Sequence, residues 1–131
     1  MGFHLHCAAA RTADDAKAII CALAQRFYAL GWVSGTGGGI SVRVDDRVFM
    51  APSGVQKELL RSNMIFELTR SGEVVAGPAA ARGLRVSQCE PLFLAAMELR
   101  DAGAVVHSHS RAAVLATVMN RGDRVVLREL E

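Results

Sequence analysis

Four of the five residues from position 35 to position 39 are glycine, and this run separates two stretches of different periodicity. Before it, Ile19, Ile20, Leu23, Phe27 and Leu30 recur at the spacing that lines one face of an α-helix. After it, Ile40-Ser41-Val42-Arg43-Val44 alternates apolar and polar, the period of a strand with one buried face. The helix has a start signal in Thr12-Ala13-Asp14-Asp15, an acid three residues after a capping hydroxyl, and a stop in Gly31. Asp45-Asp46 marks a turn into a returning strand, Val48-Phe49-Met50-Ala51, which Pro52-Ser53-Gly54 breaks.

The pattern then repeats with variation. Residues 64–68 and Val74-Val75 read as a second hairpin about Arg70-Ser71-Gly72, followed by a loop over residues 77–83. Ser87-Gln88-Cys89-Glu90 has capping-box spacing ahead of a helix over 92–99, with Pro91 in the first turn, where its missing N–H costs least. Ala104-Val105-Val106 is a short buried strand running into His107-Ser108-His109, Ser110 caps a third helix, and Val125-Val126-Leu127 opens a further strand. Helices alternating with hairpins are compatible with a sheet covered by helices. We read residues 1–15 as a flexible N-terminal extension and 16–131 as one partial α/β domain.

Bulk properties narrow the class. With 131 residues and 51% hydrophobic side chains the chain can bury a core. Its 15 basic and 13 acidic residues are interleaved, without the basic stripe that nucleic-acid binding requires, so no nucleic-acid partner is expected. The apolar stretch 16–30 is interrupted by Lys17, Gln25 and Arg26, and no membrane partner is expected. Three widely spaced cysteines do not make a disulfide framework, and the start of the chain lacks a secretion signal; the expected location is the cytoplasm.

Several groups can carry chemistry. In a strand, residues i and i+2 face one side, so His107 and His109 can reach one ion; alternatively, one is hydrogen-bonded at a helix start and the other exposed. The run Gly35-Thr36-Gly37-Gly38-Gly39 either forms an anion nest of backbone N–H groups or is a tight connection. It matches neither a Walker loop nor G-x-G-x-x-G, since Ile40 stands in place of the third glycine. Ser53 and the Gly54 N–H can hold a phosphate oxygen with Lys57 adding charge, or Lys57 is a plain surface lysine. Cys89 opens a helix, where the dipole favours a thiolate, or is a small core residue. His4 and His6 also form an H-x-H pair, but nothing puts them on a stable element.

Taken together, four segments resemble the class II aldolase/adducin family. They are Gly31-Trp32-Val33-Ser34-Gly35-Thr36-Gly37-Gly38-Gly39-Ile40-Ser41, Met50-Ala51-Pro52-Ser53-Gly54-Val55-Gln56-Lys57-Glu58, Ser87-Gln88-Cys89-Glu90-Pro91-Leu92-Phe93, and Gly103 through Ala113. The resemblance implies a three-layer α/β/α domain with a mainly antiparallel central sheet, its C-terminal part missing. It implies Zn2+ held by His107 and His109, and a sugar phosphate held by Gly35, Thr36, Gly37, Gly38, Ser53, Gly54 and Lys57. Cys89 stands where the aldolase branch carries a catalytic glutamate. That resembles the dehydratase branch, which removes water from 5-methylthioribulose 1-phosphate in methionine salvage. In that branch the catalytic acid/base corresponds to Glu131, Cys89 shapes the pocket, and the assembly is a homo-oligomer, a homotetramer.

Two departures from the family pattern matter. No histidine follows His109 to act as the third ligand, and Arg128-Glu129-Leu130-Glu131 differs from the family's His-Gln-Glu. These 131 residues alone are therefore expected to be inactive. Alternative readings are a class II sugar-phosphate aldolase and a non-catalytic adducin-like structural domain.

Overall fold

The computed structural model describes residues 10–78 and 83–124. Helix α1 spans Ala13–Ala29. At its start the Asp15 N–H donates to Thr12 Oγ1 at 3.1 Å, and Asp15 Oδ2 accepts from the Thr12 N–H at 3.0 Å, completing a capping box. Residues 13–15, expected in the N-terminal extension, are thus helical; residues 1–9, with His4 and His6, lie outside the described residues. At its end the Gly31 N–H donates to Tyr28 O and the Trp32 N–H to Phe27 O, with Gly31 at φ +69°. This is a Schellman closure, which needs the left-handed backbone that glycine adopts freely.

Strands β1 (Gly39–Val44), β2 (Arg47–Met50), β3 (Phe66–Thr69) and β4 (Val74–Ala76) form an antiparallel meander. Helix α2 (Glu90–Arg100) then carries the chain to β5 (Ala104–His107), which pairs antiparallel with the free edge of β1. The sheet order is β4-β3-β2-β1-β5. Helix α3 (Arg111–Met119) follows, and none of its residues is buried among the described ones. Its Val114, Leu115, Val118 and Met119 are exposed.

The period-2 pattern of β1 and β2 separates two cores. Ile40, Val42, Phe49 and Ala51 face α1 and pack with Ala16, Ile20, Ala24 and Phe27. Val48, Met50, Phe66 and Leu68 face the other way and pack with Phe93 and Met97 of α2. The result is helix, antiparallel sheet, helix: the expected three layers.

Three local expectations change. Met64 lies in a short 3-10 turn, Ser62–Met64, so β3 begins at Phe66. The Ser87–Glu90 capping box does not form: Ser87 Oγ instead accepts from the Cys89 N–H at 3.2 Å, and Cys89 is the N-cap residue. A side chain committed two residues along cannot also serve the third. The Glu90 carboxylate reaches toward the β3–β4 turn, where its Oε1 would sit 2.5 Å from a Cβ at Gly72. Ser110 occupies the N-cap of α3 but makes no side-chain cap bond; its own N–H donates to Ser108 Oγ at 3.0 Å.

Candidate functional site

The site forms at one end of the sheet, where β1 begins and its antiparallel partner β5 ends. Register pairs Gly39 with His107, so the glycine run and the histidine segment meet there because of strand pairing. Beyond β5 the His109 N–H donates to Trp32 O at 2.7 Å, and Ser108 Oγ donates to the same oxygen at 3.3 Å. Ser108 thus turns toward the α1–β1 connection, and the two imidazoles lie together with centroids 4.8 Å apart.

The glycines of the run act first by letting chains approach. A Cβ at Gly37 would lie 2.7 Å from His109 Nδ1, and one at Gly38 3.0 Å from His107 O. Gly38 also has φ +78° and Gly35 φ +54°, backbone that other residues resist. A Cβ at Gly39 would meet Phe93 Cζ at 2.9 Å, which fixes the sheet end against α2.

The start of α2 brings Cys89 within reach: its Sγ is 3.0 Å from His107 Nδ1. That contact engages His107 through its Nδ1. Partial loss of hydration, and then the neighbouring His109, lower the His107 pKa from its ordinary value. Both influences favour the neutral imidazole, the form that ligates metals. A catalytic zinc takes three protein ligands and an open position. The paired imidazoles fit two of them; among the described residues no group of three His, Cys, Asp or Glu side chains is placed to hold an ion.

The second polar loop closes the site. Past β2, the Ser53 N–H donates to Arg85 O at 2.9 Å, and Gly54 turns the chain with φ +72°. Lys57 then enters a 3-10 turn and is buried at 1% exposure, in contrast to the plain surface lysine that was one of its two expected readings. Its Nζ donates to Thr36 O at 2.9 Å and Val55 O at 3.0 Å. Burial lowers the Lys57 pKa from its ordinary value, opposed by the Cys89 thiol and the Glu58 carboxylate.

One cleft of about 420 Å³ is lined by Thr36, Gly37 and Gly38 of the first loop and Ser53, Gly54 and Lys57 of the second. Ser87, Gln88, Cys89, His107 and His109 complete it. Of the expected site residues, only Gly35 stands outside this lining, and Glu131 lies outside the described residues. Ser87 and Gln88 were not expected as lining residues; their place just ahead of Cys89 was the available signal. A larger cleft of about 500 Å³ lies on the α2 side among Arg43, Arg70, Ser71, Leu94, Met97 and Glu98, but its lining includes no His or Cys. Among the described residues no helix is long and apolar enough to cross a membrane.

Comparison with known proteins bears on the family. The chain is 46% identical over 113 residues to methylthioribulose-1-phosphate dehydratase of Xenopus tropicalis, covering 86% of this chain and 47% of that one. To the human protein of the same name it is 44% identical, with the same coverage. The chain therefore spans about half the length of the curated relatives it matches. Among solved structures, an L-fuculose 1-phosphate aldolase superposes with a TM-score of 0.71 at 24% identity, covering 82% of this chain and 50% of that one; this likeness speaks to the fold alone. The L-fuculose-1-phosphate aldolase of Thermus thermophilus gives a TM-score of 0.67 at 26% identity, covering 80% of this chain and 51% of the other. Residues 17–129 match the Class II Aldolase and Adducin N-terminal domain, and the chain belongs to that family.

Proposed function

We propose that the full-length protein is a hydro-lyase that dehydrates 5-methylthioribulose 1-phosphate to the 2,3-diketo-5-methylthiopentyl 1-phosphate product, a step of methionine salvage in the cytoplasm. One observation carries the reading: paired imidazoles, a thiol and two polar loops share a single cleft of about 420 Å³. That volume suits a small phosphorylated sugar. The name of the relatives supplies the reaction.

In this reading His107 and His109 hold Zn2+ together with a third donor outside the described residues, which the family resemblance gives as a downstream histidine. Bound zinc would supply Lewis acidity toward a carbonyl and its neighbouring hydroxyl. The backbone of Gly35, Thr36, Gly37 and Gly38, with Ser53 and the Gly54 N–H, grips the phosphate and fixes the reacting carbons at the histidine end. Cys89 holds His107 by its Nδ1 and walls the pocket beside the thioether of the substrate. Glu131 moves the proton and assists departure of hydroxide. The protein works as a homo-oligomer, a homotetramer by the resemblance.

The test is to offer the full-length protein 5-methylthioribulose 1-phosphate and L-fuculose 1-phosphate in turn, with metal analysis after dialysis. Dehydration of the first substrate with about one zinc per subunit is expected. Cleavage of the second without dehydration of the first would make the protein an aldolase, and full activity without metal would end the zinc reading.

A further inference from the structure

Lys57 is the only charged side chain in the buried set of the described residues. An ammonium group taken out of water has to be compensated. The two ion pairs of the described residues, Arg43–Asp101 and Arg47–Glu67, do not involve it. Its compensation is backbone: Thr36 O at 2.9 Å and Val55 O at 3.0 Å. These two carbonyls belong to different loops, the glycine run and the turn after Pro52-Ser53-Gly54, and both loops line the same cleft. No carboxylate is hydrogen-bonded to its Nζ among the described residues, while Cys89 and the nearby Glu58 carboxylate favour the charged ammonium against the effect of burial. A 1% exposed side chain with two of its three donors already engaged is poorly placed to act as a flexible hand on a ligand.

We propose that Lys57 is a positioning residue: it ties the two loops together, and its charge favours an anionic phosphate in the cradle they form. The ligand's identity rests on the phosphate reading of the cleft, whereas the tie rests on the two hydrogen bonds alone. Two amides report on the tie independently of any ligand. The Gly37 N–H is bonded to Ser34 O and the Ser53 N–H to Arg85 O, one in each loop.

The experiment compares wild type, Lys57→Met, Lys57→Gln and Ser53→Ala in the full-length protein. Amide hydrogen exchange is measured without ligand, and the affinity for inorganic phosphate by calorimetry. In Lys57→Met, exchange at both Gly37 and Ser53 is expected to speed up about tenfold or more, the scale of a lost hydrogen bond to a charged group. Amides in the β1–β2 ladder should stay protected. Phosphate affinity is expected to fall about tenfold or more in Lys57→Met and in Lys57→Gln, which keeps a donor but not the charge. Ser53→Ala should weaken phosphate while leaving Gly37 exchange unchanged.

Unchanged exchange at either reporter in Lys57→Met would overturn the tie, and wild-type phosphate affinity in both Lys57 variants would overturn the positioning role. Should Lys57→Met fail to fold, Lys57→Gln is judged by the same two criteria. If wild type binds no phosphate yet the Lys57 variants loosen both loops, the phosphate reading fails and the tie survives.

Discussion

Gly37→Ala should separate stability from metal binding. The new Cβ would lie 2.7 Å from His109 Nδ1 and 2.9 Å from Cε1, where ordinary contact begins at 3.4 Å, so the ring must retreat by about 0.7 Å. The ring is what yields, because the His109 backbone is held by its N–H to Trp32 O. Gly37 does not carry a positive φ, so alanine fits the backbone and restricts the unfolded chain, a gain of about 0.4–1 kcal/mol. The close Ser34 O at 3.2 Å takes back part of that gain. Net stability should therefore stay within about 1 kcal/mol of wild type. Metal–ligand distances tolerate about 0.2 Å, and the retreat is several times larger. Zinc affinity of the full-length protein should fall about 10- to 100-fold, the scale seen when a ligand loses its orientation. Competition against a chromophoric chelator measures the affinity, and denaturant unfolding the stability. Gly35→Ala is the mirror control: nothing lies within 4 Å, but φ is +54°, so it should cost about 1 kcal/mol and leave zinc affinity alone. Wild-type zinc affinity in Gly37→Ala would refute the reasoning.

Three further outcomes are expected. Thr12→Ala should cost about 1 kcal/mol by denaturant unfolding. Because hydrogen bonds from Arg11 and Thr12 lower the Asp15 pKa below 3.8, its contribution is present above that value and lost as pH falls through the folded pKa, so the acid limb of the stability curve should flatten in Thr12→Ala. Phe93→Ala, removing a ring that is 2% exposed and touches Gly39, should cost about 3–5 kcal/mol and loosen the site end of β1 in hydrogen exchange. Glu131→Gln in the full-length protein should keep its zinc while turnover drops about 100-fold or more, whereas Glu90→Gln should remain active; the reverse result would move the proton chemistry to Glu90.

What the sequence made legible was short in range. The α1 stripe, its Thr12 cap and Gly31 stop, and the alternation of β1 and β2 are set by neighbours within a few residues, and they formed as read with two exceptions. Leu30 is exposed past the helix end, and Ser41 is buried too, so β1 is covered on both faces rather than one. The i, i+2 spacing of His107 and His109 pointed to paired rings, but His109 lies beyond the end of β5 and is also held by its long-range bond to Trp32 O. The pairing of β5 with β1 joins residues more than sixty positions apart, and no local pattern encodes it. The burial of Lys57 was hidden for the same reason: its acceptor at Thr36 lies 21 positions away, and a lone lysine in a polar loop looks solvated. The Ser87–Glu90 misreading is of another kind. The spacing was right, but capping motifs compete, and the shorter Ser87-to-Cys89 bond prevailed.

The hydrogen bonds that Trp32 O accepts from His109 and Ser108 have an evolutionary consequence. The acceptor is a main-chain oxygen, present whatever side chain stands at position 32. Exchanging the tryptophan for another residue leaves the anchor in place. Inserting or deleting a single residue between α1 and β1 moves it out of line. Drift in this family should therefore be free to change the side chain at position 32 while the length of the connection stays fixed, and a survey that scores only residue identity would pass over the constraint.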